Sequence, residues 1–280
     1  MPKLSIPENL KENDICLLGI PFDANSSFKR GSAFAPGKIR ESLFNPSSNL
    51  WSEQGLDLAE LKNLVDLGDL DCANPDLVFS NISQTIEPLI RNKVRMISLG
   101  GDHSVTFPII QAHARDFDNL NILHLDAHPD LYDELDGNRF SHACPFARIM
   151  EKKLAKRMVQ AGIRTMNGHQ RDQAEKFGVE VVEMKEGIEP ILQIDFHGPL
   201  YLSLDMDCLD PAFAPGVSHH EPGGLTTRQV IDIIQRVKGR IIGADIVEYN
   251  PERDLISMTS MTAAKLLKEI ISRVYLDNQA

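Results

Sequence analysis

The 280-residue sequence predicts a single α/β domain spanning 1–280, built as three α/β/α layers around a mostly parallel central sheet. Apolar runs of strand length recur along the whole chain. They are continuous rather than alternating, and helical patterns separate them. A continuous apolar strand is one covered on both faces, as a central parallel strand is between two helix layers. Strand and helix alternating from end to end is the pattern of one such layered domain. No internal repeat, low-complexity tract or Pro/Ser-rich linker interrupts it.

Taken in order, strands are expected at 15–20, 96–99, 121–126, 159–163, 200–205 and 241–247. A helix is expected to begin around Pro36, because proline suits a first turn where no N–H is needed. Another follows Thr226 as its N-cap, with Val230, Ile233, Ile234 and Val237 on one face. A last helix covers 262–274, and the Pro- and Gly-rich stretch 211–224 is expected to be a long loop.

Hydrophobic content of 42% and charged content of 25% are those of a soluble globular protein with a sizeable core. No apolar run approaches the ~20 residues of a membrane span. The N-terminal residues show no basic segment leading into an apolar one, so no secretory signal is visible. Cys16, Cys72, Cys144 and Cys208 are scattered without a CxxC pair, which reads as reduced thiols in a cytoplasmic protein. A net charge of −11 argues against nucleic-acid and anionic-membrane partners and favours a small cationic one.

Two short runs carry the chemistry. His124-Leu125-Asp126-Ala127-His128-Pro129-Asp130 and Asp205-Met206-Asp207 each space ligand-type side chains two apart. In extended chain such residues share a face, so each run can aim its ligands at one point. His103, in Gly100-Gly101-Asp102-His103-Ser104, adds an imidazole. All these residues follow expected strands, at the carboxyl ends where open α/β sheets bind ligands, and Glu248 follows 241–247 in the same way. The ligand set is then His103, Asp126, His128, Asp130, Asp205 and Asp207. One zinc needs fewer ligands and more nitrogen or sulfur. Two dications balance four carboxylates, and oxygen-rich sites with imidazole suit manganese (Mn2+), with nickel or cobalt as alternatives. A metal pair can activate a shared water near neutral pH.

Each piece alone has a plainer reading. A lone DxD or HxD is more often a solvated loop, and Asp-Met-Asp also fits phosphoryl-transfer enzymes with an aspartate nucleophile. Those enzymes need the pair early in the fold, and here it comes late. Three pieces on neighbouring strand ends favour the metal site. Asp102 is expected to support a histidine rather than ligate. His219 and His220 are expected to shape the pocket mouth, and Cys208 to be buried packing. His113, His169 and His197 have no supporting context.

The segments GGDHS, HLDAHPDLYD, SLDMDCLDPAFAPGVS and DIVEYNP together resemble the ureohydrolase (arginase/agmatinase) family, and the likeness covers nearly the whole chain. Asn25-Ser26-Ser27-Phe28 and 31–36 fit it too, and 140–149 with Glu248-Tyr249-Asn250-Pro251 are most similar to the plant-type arginases. Ala143-Cys144 departs from the Gly-Thr often found there. The resemblance implies two manganese ions per subunit, with Asp126 and Asp205 bridging. His103 and Asp130 complete one set, His128 and Asp207 the other. It implies His142, Glu248 and Asp130 as the catalytic set, with Glu248 pairing with the substrate guanidinium. It also implies a homo-oligomer, trimer or hexamer.

Hydrolysis of a guanidino compound to urea and an amine follows as the expected activity. L-arginine leads as substrate, with agmatine or another guanidino acid as alternatives. Because a guanidinium carbon is a poor electrophile, the reaction needs a strong nucleophile, a carboxylate to hold the cation, and a proton for the departing amine. His142, titrating near neutrality, suits the last task. The substrate is expected to touch Asp133, Asn138 and Ser141 besides His142 and Glu248, with Tyr132 and the loop 218–221 also near its tail. Two other classes stay open: a one-zinc amide deacetylase, and a silent relative acting as a partner protein. The six-ligand set argues against both.

Overall fold

The computed structural model describes residues 3–279. Among these, eight strands form one sheet: β1 (Ile15–Gly19), β2 (Leu64–Asp69), β3 (Arg95–Leu99), β4 (Asn121–Leu125), β5 (Arg157–Ile163), β6 (Glu180–Glu183), β7 (Asp195–Asp205) and β8 (Lys238–Val247). Their order is β2-β1-β3-β8-β7-β4-β5-β6, and every pairing is parallel. The helices are α1 (Ala35–Leu43), α2 (Pro75–Arg91), α3 (Thr106–His113), α4 (Pro145–Glu151), α5 (Gly168–Phe177), α6 (Glu189–Gln193), α7 (Thr227–Arg236) and α8 (Met258–Asp277). The six expected strands are present within a few residues. β2 and β6 were not expected: both pair with a neighbour on one side only, and their half-buried, acid-bearing sequences lack a continuous apolar run.

Burial on both faces explains the apolar runs. In β1, Ile15 and Leu17 join a core built with α1, α6, α7 and α8, whereas Cys16 and Leu18 join one built with α2, α3, α4 and α5. Each large side chain so buried contributes roughly 1.5–3 kcal/mol. Local signals agree with this packing. Pro36 sits in the first turn of α1, and Thr226 forms a capping box with Gln229 at the start of α7. α8 begins four residues before the expected start, on Ser257 in a left-handed conformation. The stretch 211–224 is a loop, as expected.

The chain order places the site. After β3 the chain skips two positions to make β4, and β7 and β8 later fill the gap. The carboxyl ends of β3, β8, β7 and β4 therefore lie side by side, and every acidic run follows one of them.

Candidate metal centre and cleft

His103 opens a short 3-10 turn after β3. Asp102 caps this turn by accepting from the Ser104 N–H at 3.1 Å, and its other oxygen accepts from the Asn25 N–H at 2.9 Å. It thus supports the backbone around His103 rather than the imidazole itself. The glycine before it is required by close approach: a Cβ on Gly101 would run into the Phe22 carbonyl oxygen. Asp205 ends β7 and accepts from the Asp207 N–H at 2.7 Å, which turns the next side chain back towards the same point. Asp130 holds φ at 49°, an uncommon conformation for a non-glycine residue and one often found at functional sites.

The six side chains meet in two adjoining groups. Nδ1 of His103 lies 3.3 Å from Asp126, 3.1 Å from Asp130 and 3.1 Å from Asp205. Nδ1 of His128 lies 3.4 Å from the other Asp126 oxygen and 3.1 Å from Asp207. Asp126 therefore faces both imidazoles, one through each carboxylate oxygen. His124, Asp126 and His103 also stand close enough to share an ion, as do Asp126, His128 and Asp207.

Charge shows that this donor set fits metal ions. Burial, with Asp207 and Asp126 beside it, drives the Asp205 carboxyl well above its usual range; burial and Asp126 lift Asp207 to about 6 despite the attraction of His128. Burial opposes charge on His103, yet the carboxylates of Asp126, Asp130 and Asp205 more than reverse that and raise it well above an ordinary histidine. Among the described residues no Lys or Arg pairs with these four aspartates, and the buried Nδ1 of His103 has no hydrogen-bond partner. Four carboxylates and two imidazoles around one point fit two dications bound through oxygen and nitrogen.

Beneath the ligands runs a buried polar row of which sequence reasoning picked out only His124. Ser98, Asp245, Ser203, His124 and Gln160 occupy paired positions across β3, β8, β7, β4 and β5, and all five are fully buried. Nε2 of His103 meets Ser203 Oγ at 3.0 Å, and Ser203 donates to Asp245 at 2.7 Å. Thr106 and Tyr201 also donate to Asp245, both at 2.9 Å, so this buried carboxylate is satisfied by three hydroxyls. Partners of this kind fix the tautomer of a ligating histidine and its ring plane. On the other side, the Gln160 amide donates to the Pro129 carbonyl at 2.6 Å and to Nδ1 of His124 at 3.0 Å. Nε2 of His124 must then carry the hydrogen, which it gives to Asp126 at 2.7 Å. The signal lay in single polar residues inside otherwise apolar runs, each of which looks incidental until the register pairs them.

The cleft above the ligands has a volume of about 180 Å³. His142 and Glu248 lie on its wall, joined by a 2.8 Å bond from Nδ1 of His142 to Oε1 of Glu248. The same Glu248 oxygen accepts from the His103 N–H at 2.8 Å, which ties the wall to the metal ligands. Its Oε2 makes no hydrogen bond to the described residues, and Glu248 lines the cleft with φ at 62°. Burial lowers the proton affinity of His142, but the Glu248 carboxylate outweighs it and holds the imidazole at about 9. Burial works against the Glu248 anion too, and His142 more than offsets this, leaving the carboxyl below its usual range.

Asp133, Asn138 and Ser141 are not among the residues that line the cleft, and each is bonded to neighbouring residues. Asp133 is held by Arg139 at 2.8 Å and Arg148 at 2.9 Å. Asn138 bonds to Asn25 and to the Phe140 N–H, and Ser141 turns inwards and accepts from the Ala143 N–H. A loop rich in polar groups satisfies many of them internally, which spacing alone does not reveal. The outer cleft is lined instead by Ser27, Tyr132, Leu135, Thr165, Gln170 and His219. His219 stands at the mouth, its ring 5.2 Å from that of His142 and 5.9 Å from that of His128. His220 bonds outside the cleft to the Pro215 carbonyl. Cys208 is buried, and burial beside Asp205 and Asp207 keeps its thiol protonated. His113 bonds within α3, His169 stacks on Tyr132, and His197 is exposed near Asp195.

Comparison with known proteins supplies an independent view. Residues 13–272 match the model of the arginase family. "Arginase 1, mitochondrial" of Arabidopsis thaliana is 44% identical over 274 residues, covering 92% of this chain and 80% of that protein. "Guanidino acid hydrolase, mitochondrial" of Homo sapiens is 34% identical over 291 residues, covering 97% of this chain and 80% of that one. The structure of an arginase from Medicago truncatula superposes with a TM-score of 0.88 at 40% identity, covering 94% of this chain and 87% of that chain. By sequence match and fold alike, this chain belongs to the arginase family and is a metal-dependent ureohydrolase.

Proposed function

We propose that the protein hydrolyses L-arginine to urea and L-ornithine with two manganese ions held by His103, Asp126, His128, Asp130, Asp205 and Asp207. The observation that carries this reading is the His142–Glu248 pair on the wall of the cleft that His128, Asp130, Asp205 and Asp207 line. What two bound dications contribute is charge balance for the carboxylates and a water acidified enough to attack near neutral pH. Glu248 holds the guanidinium through charge-assisted hydrogen bonds from its free oxygen, fixing the flat cation over the floor. Asp130, at the edge of the ligand set, orients the attacking water. His142, protonated at neutral pH, supplies the proton with which the amine departs; general acid help of this kind is worth ~10²–10⁴-fold.

Agmatine is the second reading, and one observation favours it. Among the described residues that line the cleft there is no Lys or Arg to meet an α-carboxylate. An arginine tail would rest on neutral donors, the Tyr132 hydroxyl, the Gln170 amide and the ring of His219. The greater identity to plant arginases favours arginine. Urea release by manganese-loaded enzyme, with arginine, agmatine and 4-guanidinobutyrate side by side, decides between them. Release from none of the three would overturn the reading.

The same proposal takes 1–280 as one ureohydrolase catalytic domain, supported by a single sheet running across the described residues. It takes the protein as a cytoplasmic homo-oligomer, trimer or hexamer. Four free cysteines support a reducing compartment. The exposed Leu255, Ile256 and Met258 at the start of α8 support burial against a further subunit. No helix among the described residues is long and apolar enough to cross a membrane.

A further inference from the structure

We infer that Ser27 is part of the proton path, relaying the proton of His142 to the departing amine. The inference rests on the ureohydrolase reading above and assigns a role to a residue outside the ligand set and the His142–Glu248 pair.

A carboxylate can only accept, so Nδ1 of His142 carries a hydrogen and donates it to Glu248. The second ring nitrogen, Nε2, meets Ser27 Oγ at 2.8 Å. Hydroxyl, imidazole and carboxylate thus form one hydrogen-bonded chain, and all three residues line the cleft. His142 is otherwise enclosed and nearly buried, with His219 tilted against it. Both nitrogens of the ring are therefore committed, one to Glu248 and one to Ser27. A proton leaving the ring without breaking its bond to Glu248 must leave through Nε2, and the atom waiting there is the serine oxygen.

A hydroxyl suits both charge states of the ring. Beside the imidazolium, Ser27 Oγ accepts from Nε2–H and its own hydrogen points away from the ring. Beside the neutral ring, the hydroxyl turns and donates to Nε2. The transfer balances. The Nε2–H bond breaks as a new Oγ–H bond forms, and the original hydroxyl proton moves to the nitrogen of the substrate. The bond between that nitrogen and the guanidino carbon breaks, and its electron pair stays on the nitrogen. The imidazole recovers a proton from the one that water gives up on attack, so the cycle needs no outside acid.

Three variants test this: Ser27→Ala, Ser27→Thr and Ser27→Cys. Ser27→Ala should lower kcat for urea release by about 10- to 100-fold, within the range of general acid catalysis, with KM little changed. Ser27→Thr keeps the hydroxyl and should restore most of the loss. Ser27→Cys, a poorer hydrogen-bonding partner, should fall between them. A Ser27→Ala enzyme within about twofold of the wild-type kcat overturns the relay, and so does a Ser27→Thr enzyme no better than Ser27→Ala. Wild-type urea release is the separate check on the underlying reading. A readout free of turnover accompanies it: the 15N resonance of Nε2 in His142, recorded on protein loaded with diamagnetic zinc in place of manganese, should shift in Ser27→Ala and stay in place in Ser27→Thr. No shift in Ser27→Ala overturns the contact whichever guanidino compound the enzyme takes.

Discussion

Replacing Glu248 by glutamine removes one charge and little else. The shape is kept, the φ of 62° stays within reach of a non-glycine residue, and the amide oxygen can still accept from the His103 N–H. The chemical effect should be large, because Glu248 has two tasks. It holds His142 at about 9 against the pull of burial. Without the anion, only the weaker pull of Asp130 and Asp102 opposes burial, and the proton affinity of the ring falls from about 9 towards that of an ordinary histidine, 6.5. At pH 7.5 the protonated share then drops from nearly all towards roughly a tenth. The second loss is a hydrogen bond between charged groups in the guanidinium contact, about 1.5–3 kcal/mol, or roughly 10- to 150-fold. Together these predict a fall in kcat/KM of about 10²–10³-fold. Metal content should not change, since Glu248 is not in the ligand set. The assay pairs urea release and manganese analysis of one sample with an NMR titration of His142 on protein loaded with diamagnetic zinc. A fully loaded Glu248→Gln enzyme within about threefold of wild type, its His142 still titrating near 9, would refute both roles.

Four further outcomes follow from the geometry. His128→Asn should lower manganese from about two ions per chain towards about one, read by metal analysis after dialysis, because only one ligand group contains His128. Asp245→Ala strips the acceptor from Ser203, Thr106 and Tyr201 and frees the ring of His103; competition with a chelator should show metal binding weakened by ~10–100-fold. Gly101→Ala should cost roughly 2–4 kcal/mol in denaturant unfolding, because its Cβ meets main chain that cannot swing aside. The fourth concerns pH. The proton affinity of His142 is raised from 6.5 unfolded to about 9 folded, so its pairing with Glu248 contributes fully below pH 6.5 and is lost as pH rises through about 9. Stability and urea release should both decline across that alkaline window; a flat profile between pH 7 and 10 would exclude His142 as the proton donor.

Much of the fold could be read from the chain because burial leaves a direct mark on sequence. Strands covered on both faces must be largely apolar, and 15–20 is, as are 96–99 and 121–126 apart from Ser98, Asn121, His124 and Asp126. β2 and β6 escaped notice because a strand paired on one side tolerates the acidic residues of LVDLGD and EVVE. Ligand spacing was legible as residues two apart, but what makes Asp126, His128, Asp130, Asp205 and Asp207 converge is the bend after β4, the left-handed Asp130 and the 3-10 turn after Asp205, not extended chain. The tail contacts were not legible. Asp133 looks available in sequence, yet Arg148, fifteen residues on, claims it.

The sequence by itself determined a layered α/β chain with six candidate metal ligands at strand ends, because hydrophobic periodicity and ligand spacing are properties of short segments. Only the tertiary structure decided which strand ends meet, since β7 and β8 enter between β3 and β4 from far along the chain. That insertion alone brings Glu248 against His142 and, with the loop after β1, seats Ser27 on the far nitrogen of the ring. It also lines up Ser98, Asp245, Ser203, His124 and Gln160 into one buried row. Apart from His124, each residue of that row is unremarkable in its own segment, and its role comes from neighbours that only the register supplies.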